Sequence, residues 1–127
     1  MIVAGTILVI EDEPDQILFI THVLTGAGYR VVQAYGGDDA IRKVKRQKLD
    51  LVITDLAMPK VTGVEVITTI KSDPETAHLP ILVVTAHVWD GIAKSARQAG
   101  CDGYISKPFT PTQLLEQVRK YIKSEGT

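Results

Sequence analysis

Four apolar runs in this sequence each lead into a polar residue whose side chain could take part in chemistry. Glu11 and Asp12 follow the first run, and Asp55 follows the second. Thr85 ends the third run, and Lys107 follows the fourth. In a parallel α/β sheet the carboxyl ends of the strands share one edge, and ligand sites form there. If the runs are such strands, three carboxylates, a hydroxyl and an ammonium group converge on one site.

Three carboxylates at one edge need either a cation or raised pKa values, since two unit charges about 5 Å apart repel by roughly 3 kcal/mol at an effective dielectric near 20. Oxygen ligands with open water positions suit Mg²⁺, for which Mn²⁺ could substitute. Lys107 can pair with a carboxylate or phosphoryl oxygen, and Thr85 can donate a hydrogen bond to the same oxygen. These groups are the ones that in-line phosphoryl transfer to an aspartate requires.

Each of these residues also has a purely structural explanation. Asp12 could cap a helix that begins near Pro14, and the segment 55–59 could be a turn. Lys107 precedes a proline in what could be a simple loop, and Thr85 could serve only to end a strand. Taken singly, each structural explanation is the better one. The occurrence of all of them at the ends of four of the five predicted strands favours a shared site.

The segments that must position these residues alternate between two patterns. Short runs rich in Val and Ile predict strands, and stretches of helical period lie between them. The predicted strands are 6–10, 29–34, 49–54, 80–85 and 103–106, and the predicted helices are 14–27, 37–47, 63–72, 90–99 and 110–124. This alternation predicts a doubly wound α/β fold with a parallel sheet. The first, third and fourth strands are apolar on both faces, so we expect them to be central.

Length and composition exclude several classes of protein. The chain has 127 residues, of which 45% are hydrophobic, and this predicts one domain around one sizeable core. A formal net charge of -1 argues against a direct nucleic-acid surface. Cys101 is the single cysteine, so no internal disulfide can form. We expect a cytoplasmic domain without membrane insertion, because no signal peptide or membrane-spanning run is present.

The predicted helices differ in how firmly the core should hold them. Segment 110–124 has a continuous apolar arc, a capping residue in Thr110 and a proline at position 111 suited to the first turn. Segment 90–99 offers mostly alanines to the core, so we expect this helix to dock weakly and to be mobile. Leu18 lies outside the apolar arc of the first helix. It is either an ordinary exposed leucine or a residue that docks a partner.

Four motifs in chain order carry a resemblance to a known family. They occupy residues 7–13, 55–63, 83–86 and 100–109, and they include the Asp-x-x-Met-Pro-x-x-x-Gly and Lys-Pro-Phe elements. The chain resembles a receiver domain of the two-component response-regulator superfamily over essentially its whole length. Within that superfamily it is most similar to stand-alone receivers of the DivK type. The resemblance implies a flavodoxin-like three-layer sandwich with strand order 2-1-3-4-5.

The resemblance also assigns roles to the strand-end residues. Asp55 is implied to be the phosphoacceptor, with Thr85 and Lys107 holding the phosphoryl group. The implied Mg²⁺ ligands are Glu11, Asp12, Asp55 and the backbone carbonyl of Ala57. Tyr104 matches the family's aromatic switch position, which moves together with Thr85. Ala57 and His87 occupy positions that tune dephosphorylation, and a cis Lys107–Pro108 bond is implied.

We therefore expect a signalling domain and not a classical enzyme. A sensor histidine kinase or a histidine phosphotransfer protein would phosphorylate Asp55, and residues 90–124 would contact a downstream protein. Residues 1–127 are expected to form one receiver domain, with a core at about 5–124 and no effector domain. The alternative is a receiver fragment of a hybrid histidine kinase or of a DNA-binding regulator. A phosphatase of the haloacid-dehalogenase type would need a second aspartate at position 57, where this chain has alanine.

Overall fold

A computed structural model describes residues 4–86 and 91–122. The strands are β1 (Thr6–Ile10), β2 (Arg30–Ala34), β3 (Leu51–Thr54), β4 (Ile81–Thr85) and β5 (Gly103–Ser106). The helices are α1 (Pro14–Gly26), α2 (Gly37–Arg46), α3 (Gly63–Ser72), α4 (Gly91–Ala99) and α5 (Pro111–Tyr121). All five strands pair in parallel in the order β2-β1-β3-β4-β5, which confirms the predicted fold and the central places of β1, β3 and β4.

The sheet separates two hydrophobic cores, because alternate residues of a strand face opposite sides. Leu8 and Ile10 of β1 face a core that contains side chains of α2, α3 and α4. Ile7 and Val9 face the other core, which contains side chains of α1 and α5. The chain thus forms the predicted three layers. No helix within the described part of the chain is long and apolar enough to cross a membrane.

The ends of the helices explain which segments are held firmly. The hydroxyl of Thr110 accepts from the backbone N–H of Gln113, and the Gln113 side chain accepts from the backbone N–H of Thr110, so α5 begins with a complete capping box. The N-cap of α1 is Glu13, without a side-chain capping bond, so Asp12 does not cap this helix. In α4 only Ala93 and Ala96 are fully buried, as the sequence predicted. Mobility of α4 stays a prediction.

The strand register brings the predicted site residues to one edge. Ile10 of β1 lies beside Thr54 of β3, so the residues that follow them, Glu11 and Asp55, leave neighbouring strands at the same level. Thr85 of β4 lies beside Ser106 of β5, which places Lys107 next to it. The prediction that these strand ends converge is therefore confirmed. His87 lies outside the described residues.

The loop between β3 and α3 is closely packed against the end of β3. A Cβ atom on Gly63 would overlap the carbonyl oxygen of Asp55 and lie 2.7 Å from the Cα atom of Leu56. The Gly63 N–H also donates to the Leu56 carbonyl at 3.0 Å. Lys60, in the same loop, has φ of 67°, and the Val61 N–H donates to the Pro59 carbonyl across it at 2.8 Å. Gly63 thus permits the approach of α3 to Asp55.

Candidate functional site

Asp55 lies at the carboxyl end of β3 and is almost completely buried. Its backbone N–H donates to the carbonyl of Ile10 at 3.2 Å, which continues the β1–β3 ladder by one residue. Its side-chain Oδ1 accepts from the N–H of Leu56 at 2.6 Å. These two bonds fix the backbone and one carboxylate oxygen, so Oδ2 is the oxygen that faces the other strand ends.

Lys107 joins Asp55 to Glu11. Its Nζ donates to Oδ2 of Asp55 at 3.0 Å and to Oε2 of Glu11 at 3.0 Å. The backbone N–H of Lys107 donates to the Thr85 carbonyl at 2.9 Å, and the Lys107–Pro108 peptide bond is cis, as predicted. Charge-assisted hydrogen bonds of this length are about twice as strong as neutral ones. One ammonium group therefore holds both carboxylates of the site.

The electrostatics of this cluster are dominated by burial of Glu11, whose side chain is only 2% exposed. Burial raises the pKa of Glu11 to about 7, and repulsion from Asp55 adds to the rise, while the bond from Lys107 opposes it. The pKa of Lys107 is also raised, because its bonds to Asp55 and Glu11 outweigh the opposing effect of its burial. A salt bridge alone would lower the pKa of Glu11, so the net rise reflects the burial of this carboxylate.

The predicted Mg²⁺ ligands are only partly brought together. Among residues 4–86 and 91–122, no three His, Cys, Asp or Glu side chains are grouped closely enough to hold a metal ion as they stand. Between Glu11 and Asp55, the Lys107 ammonium bonds to both carboxylates. The chemistry of the donor set nevertheless suits Mg²⁺, since all of its donors are oxygens.

The remaining predicted residues surround this cluster. Thr85 is fully buried at the end of β4, and Ala57 is exposed in the loop after Asp55. Tyr104 lies on β5 beside Val83, two residues before Thr85 on the neighbouring strand, and its half-buried ring packs against the α2–α3–α4 core. The structure thus places the two predicted switch residues on adjacent strands.

A cavity beside Lys107 contains residues that the sequence reasoning missed. Its volume is about 370 Å³, and its lining residues are Gln16, Phe19, Ala86, Lys107, Pro108 and Phe109. Phe19 of α1 is 41% exposed, and its ring centroid lies 5.7 Å from that of Phe109. Phe19 falls off the apolar arc of α1 as Leu18 does, so the same periodicity argument could have found it.

Comparison with known proteins identifies the family. A family model described as the response regulator receiver domain matches residues 7–119. The chain belongs to the response regulator receiver domain family. Receiver domains are signalling domains, so the expected class of function is confirmed.

Relatives of this receiver domain include polar-differentiation response regulators. The polar-differentiation response regulator DivK of Brucella anthropi is 29% identical over 117 residues, which cover 92% of this chain and 95% of that protein. The DivK protein of Brucella ovis matches with the same identity and coverage. The resemblance to DivK-type receivers is therefore confirmed.

Solved structures with the same fold include two that were determined with magnesium. The receiver domain of the sensor histidine kinase PA1611 from Pseudomonas aeruginosa PAO1, which has magnesium coordinated in its active-site cleft, is 30% identical with a TM-score of 0.88. The match covers 94% of this chain and 98% of that one. The response regulator TrrA of Thermotoga maritima, solved in complex with Mg(2+)-BeF, is 31% identical with a TM-score of 0.82, covering 93% and 99%.

Proposed function

We propose that this receiver domain accepts a phosphoryl group on Asp55 from a phosphohistidine donor and signals through protein contacts that depend on that modification. The observation that carries the proposal is the cluster in which Lys107 bonds to both Asp55 and Glu11 at the carboxyl edge of the sheet. A nucleophilic carboxylate, a cation and a second carboxylate meet there, and these are groups that phosphoryl transfer to an aspartate uses.

The proposed reaction is an in-line displacement at phosphorus. A carboxylate oxygen of Asp55 forms the new P–O bond while the P–N bond of the donor breaks, and the donor imidazole leaves with the electron pair. Lys107 then exchanges its bond to Asp55 for one to a phosphoryl oxygen, and the Thr85 hydroxyl donates to the same group. The buried position of Asp55 limits access of water to the acyl phosphate.

A divalent cation completes the proposed site. The ligands would be Glu11, Asp12, Asp55 and the backbone carbonyl of Ala57. Bound Mg²⁺ would offset the negative charge that develops on the transferring phosphoryl group, and Mn²⁺ would serve in its place. The position of Glu11 supports this assignment, because its carboxylate and that of Asp55 meet at one cation, the Lys107 ammonium.

The direct test is intact-mass analysis after incubation with acetyl phosphate and Mg²⁺. We expect the native protein to gain one phosphoryl group, and Asp55→Asn to gain none, because the amide is a poor nucleophile of the same shape. Chelation of Mg²⁺ should also prevent the gain by the native protein. An equal gain by Asp55→Asn would contradict the proposal, as would no gain by the native protein.

The lifetime of the acyl phosphate should depend on Ala57. This side chain is exposed beside Asp55 and has no polar atom with which to orient an attacking water molecule. We therefore expect the native protein to lose its phosphoryl group severalfold more slowly than an Ala57→Asn variant, whose carboxamide can orient water. The rate is measured by intact mass after removal of the donor; equal or faster loss from the native protein would exclude this role. His87 is proposed as the second residue that tunes this rate.

The phosphodonor is proposed to dock over Phe19 and Phe109. Both rings line the cavity that leads to Lys107, so a donor seated there would face Asp55. With a phosphorylated histidine phosphotransfer domain that transfers to the native protein, we expect Phe19→Ala to slow transfer about tenfold, the size of an interface hot spot.

Leu18→Ala is the matched control for this docking surface. This variant removes a side chain that is 64% exposed. Leu18 directly precedes Phe19 in α1, so its side chain points about a quarter turn around the helix from that of Phe19. We expect transfer to this variant to be close to native, and phosphorylation by acetyl phosphate to be unchanged in both variants. Equal slowing by Leu18→Ala and Phe19→Ala would contradict the proposed place of docking.

The proposed output surface is formed by residues 90–124, on the α4–β5–α5 side of the molecule. Residues 1–127 are proposed to act as one receiver, and a second protein is proposed to read the modified state through this surface. The match to a receiver domain of a sensor histidine kinase supports a second candidate, in which this receiver belongs to a hybrid kinase. Expression of the native gene and measurement of the mass of its product distinguishes the two.

A further inference from the structure

Arg97 makes a contact that the proposed reaction does not use. Its guanidinium carbon lies 5.1 Å from the centroid of the Tyr104 ring, within the range of a cation–π interaction. Arg97 is in the last turn of α4 and is exposed to solvent, whereas Tyr104 is half-buried on β5. The contact therefore joins the helix that buries least to the proposed switch residue.

The contact between Arg97 and Tyr104 is present while Asp55 carries no phosphoryl group. Lys107 Nζ bonds to both Glu11 and Asp55, and it cannot keep the bond to Asp55 while it holds a phosphoryl group there. Thr85 and Lys107 are also linked through their backbones at 2.9 Å. Movement of Thr85 toward the phosphoryl group would therefore pull on the strand pair that carries Tyr104.

Helix α4 also packs against the α2–α3–α4 core through the partly buried Ile92 and Ala99. Its fully buried side chains are Ala93 and Ala96, and each alanine buries little apolar surface. The cation–π contact of Arg97 adds to this packing a direct link from α4 to β5. Loss of such a contact changes a two-state equilibrium by about two- to fivefold.

We propose that Arg97 is a positioning residue that holds the Tyr104 ring against α4 in the unphosphorylated domain and so opposes activation. This inference rests on the proposed function, since the opposing state is the one with a phosphoryl group on Asp55. Phosphorylation must separate or rearrange the Arg97–Tyr104 pair. The strength of the pair then sets how readily the domain responds to its donor.

Titration with beryllofluoride in the presence of Mg²⁺ tests the proposal. We expect Arg97→Gln, which removes the cation and keeps a long polar side chain, to bind beryllofluoride about two- to fivefold more tightly than the native protein. Lys94→Gln is the matched control, because it removes an exposed cation from the same helix three residues earlier. Its affinity should equal that of the native protein.

A second measurement reports on the contact itself. In the native protein the side-chain methylene protons of Arg97 should show an upfield ring-current shift in the NMR spectrum. We expect this shift to disappear in Tyr104→Leu and on addition of beryllofluoride. Equal or weaker binding by Arg97→Gln, or a ring-current shift that beryllofluoride leaves in place, would contradict the proposal alone. Failure of every variant and of the native protein to bind beryllofluoride would contradict the proposed function as well.

Discussion

Gly63→Ala is expected to lower the free energy of unfolding by about 3 kcal/mol, in the upper part of the range for overpacking in a well-packed core. The added methyl group would overlap the Asp55 carbonyl oxygen and lie 2.7 Å from the Leu56 Cα atom. Both are backbone atoms and cannot turn away as a flexible side chain would. Relief requires α3 to move from the end of β3, which would also displace the Asp55 carboxylate.

Urea denaturation followed by far-UV circular dichroism measures this loss. Gly26→Ala is the matched control, since no atom lies within 4 Å of a Cβ added at Gly26, at the last position of α1. Because alanine restricts the unfolded chain more than glycine does, we expect Gly26→Ala to be neutral or slightly stabilising. A loss below about 1 kcal/mol for Gly63→Ala would mean that the loop yields easily, contrary to the packing seen here.

Replacement of Glu11 by glutamine should change how stability depends on pH. Glu11 has its pKa raised by burial from 4.5 to about 7, so between these values the folded protein binds a proton that the unfolded chain has released. Stability therefore falls as pH rises through this window, and the total fall is about 3 kcal/mol. Glu11→Gln has no such group. In the absence of Mg²⁺ its stability relative to the native protein should rise by about that amount from pH 4.5 to pH 8.

Denaturation at a series of pH values measures this difference, with Glu116→Gln as the control for removal of an exposed carboxylate on α5. Addition of Mg²⁺ provides the second half of the test. Since a proton and the metal compete for Glu11, the affinity of the native protein for Mg²⁺ should increase with pH up to about 7, and Glu11→Gln should bind more weakly at pH 8. A parallel pH dependence in native protein and Glu11→Gln would contradict the raised pKa.

The architecture could be predicted from the sequence because the patterns are local. The alternation of apolar runs with segments of helical period identified all five strands and helices. The cap at Thr110 was predicted from its place before Pro111, whereas the part of Gln113 in the capping box was not predicted. Convergence of Glu11, Asp55 and Lys107 followed from a general property of parallel sheets. The strand order did not follow from periodicity and was supplied by the family resemblance.

The contacts within the site could not be predicted from the sequence, because they depend on distances between side chains that the spacing of residues along the chain does not give. The sequence predicted three carboxylates around a metal, whereas the structure has Lys107 between two of them. The pairing of Arg97 with Tyr104 joins two elements through side-chain geometry, and no periodicity reports it. For α1 the sequence reasoning singled out Leu18, yet Phe19 is the residue that meets Phe109 beside the site.

The central claim is that one carboxylate, that of Asp55, becomes an acyl phosphate. Reduction of the phosphorylated protein with borohydride, followed by peptide mapping with tandem mass spectrometry, tests it most directly, because an aspartyl phosphate is converted to homoserine while a free carboxylate is not. We expect homoserine at position 55 alone, after incubation with acetyl phosphate and Mg²⁺ and not without the donor. Homoserine at position 11 or 12, or an unmodified residue 55 in protein that has gained a phosphoryl group, would contradict the account.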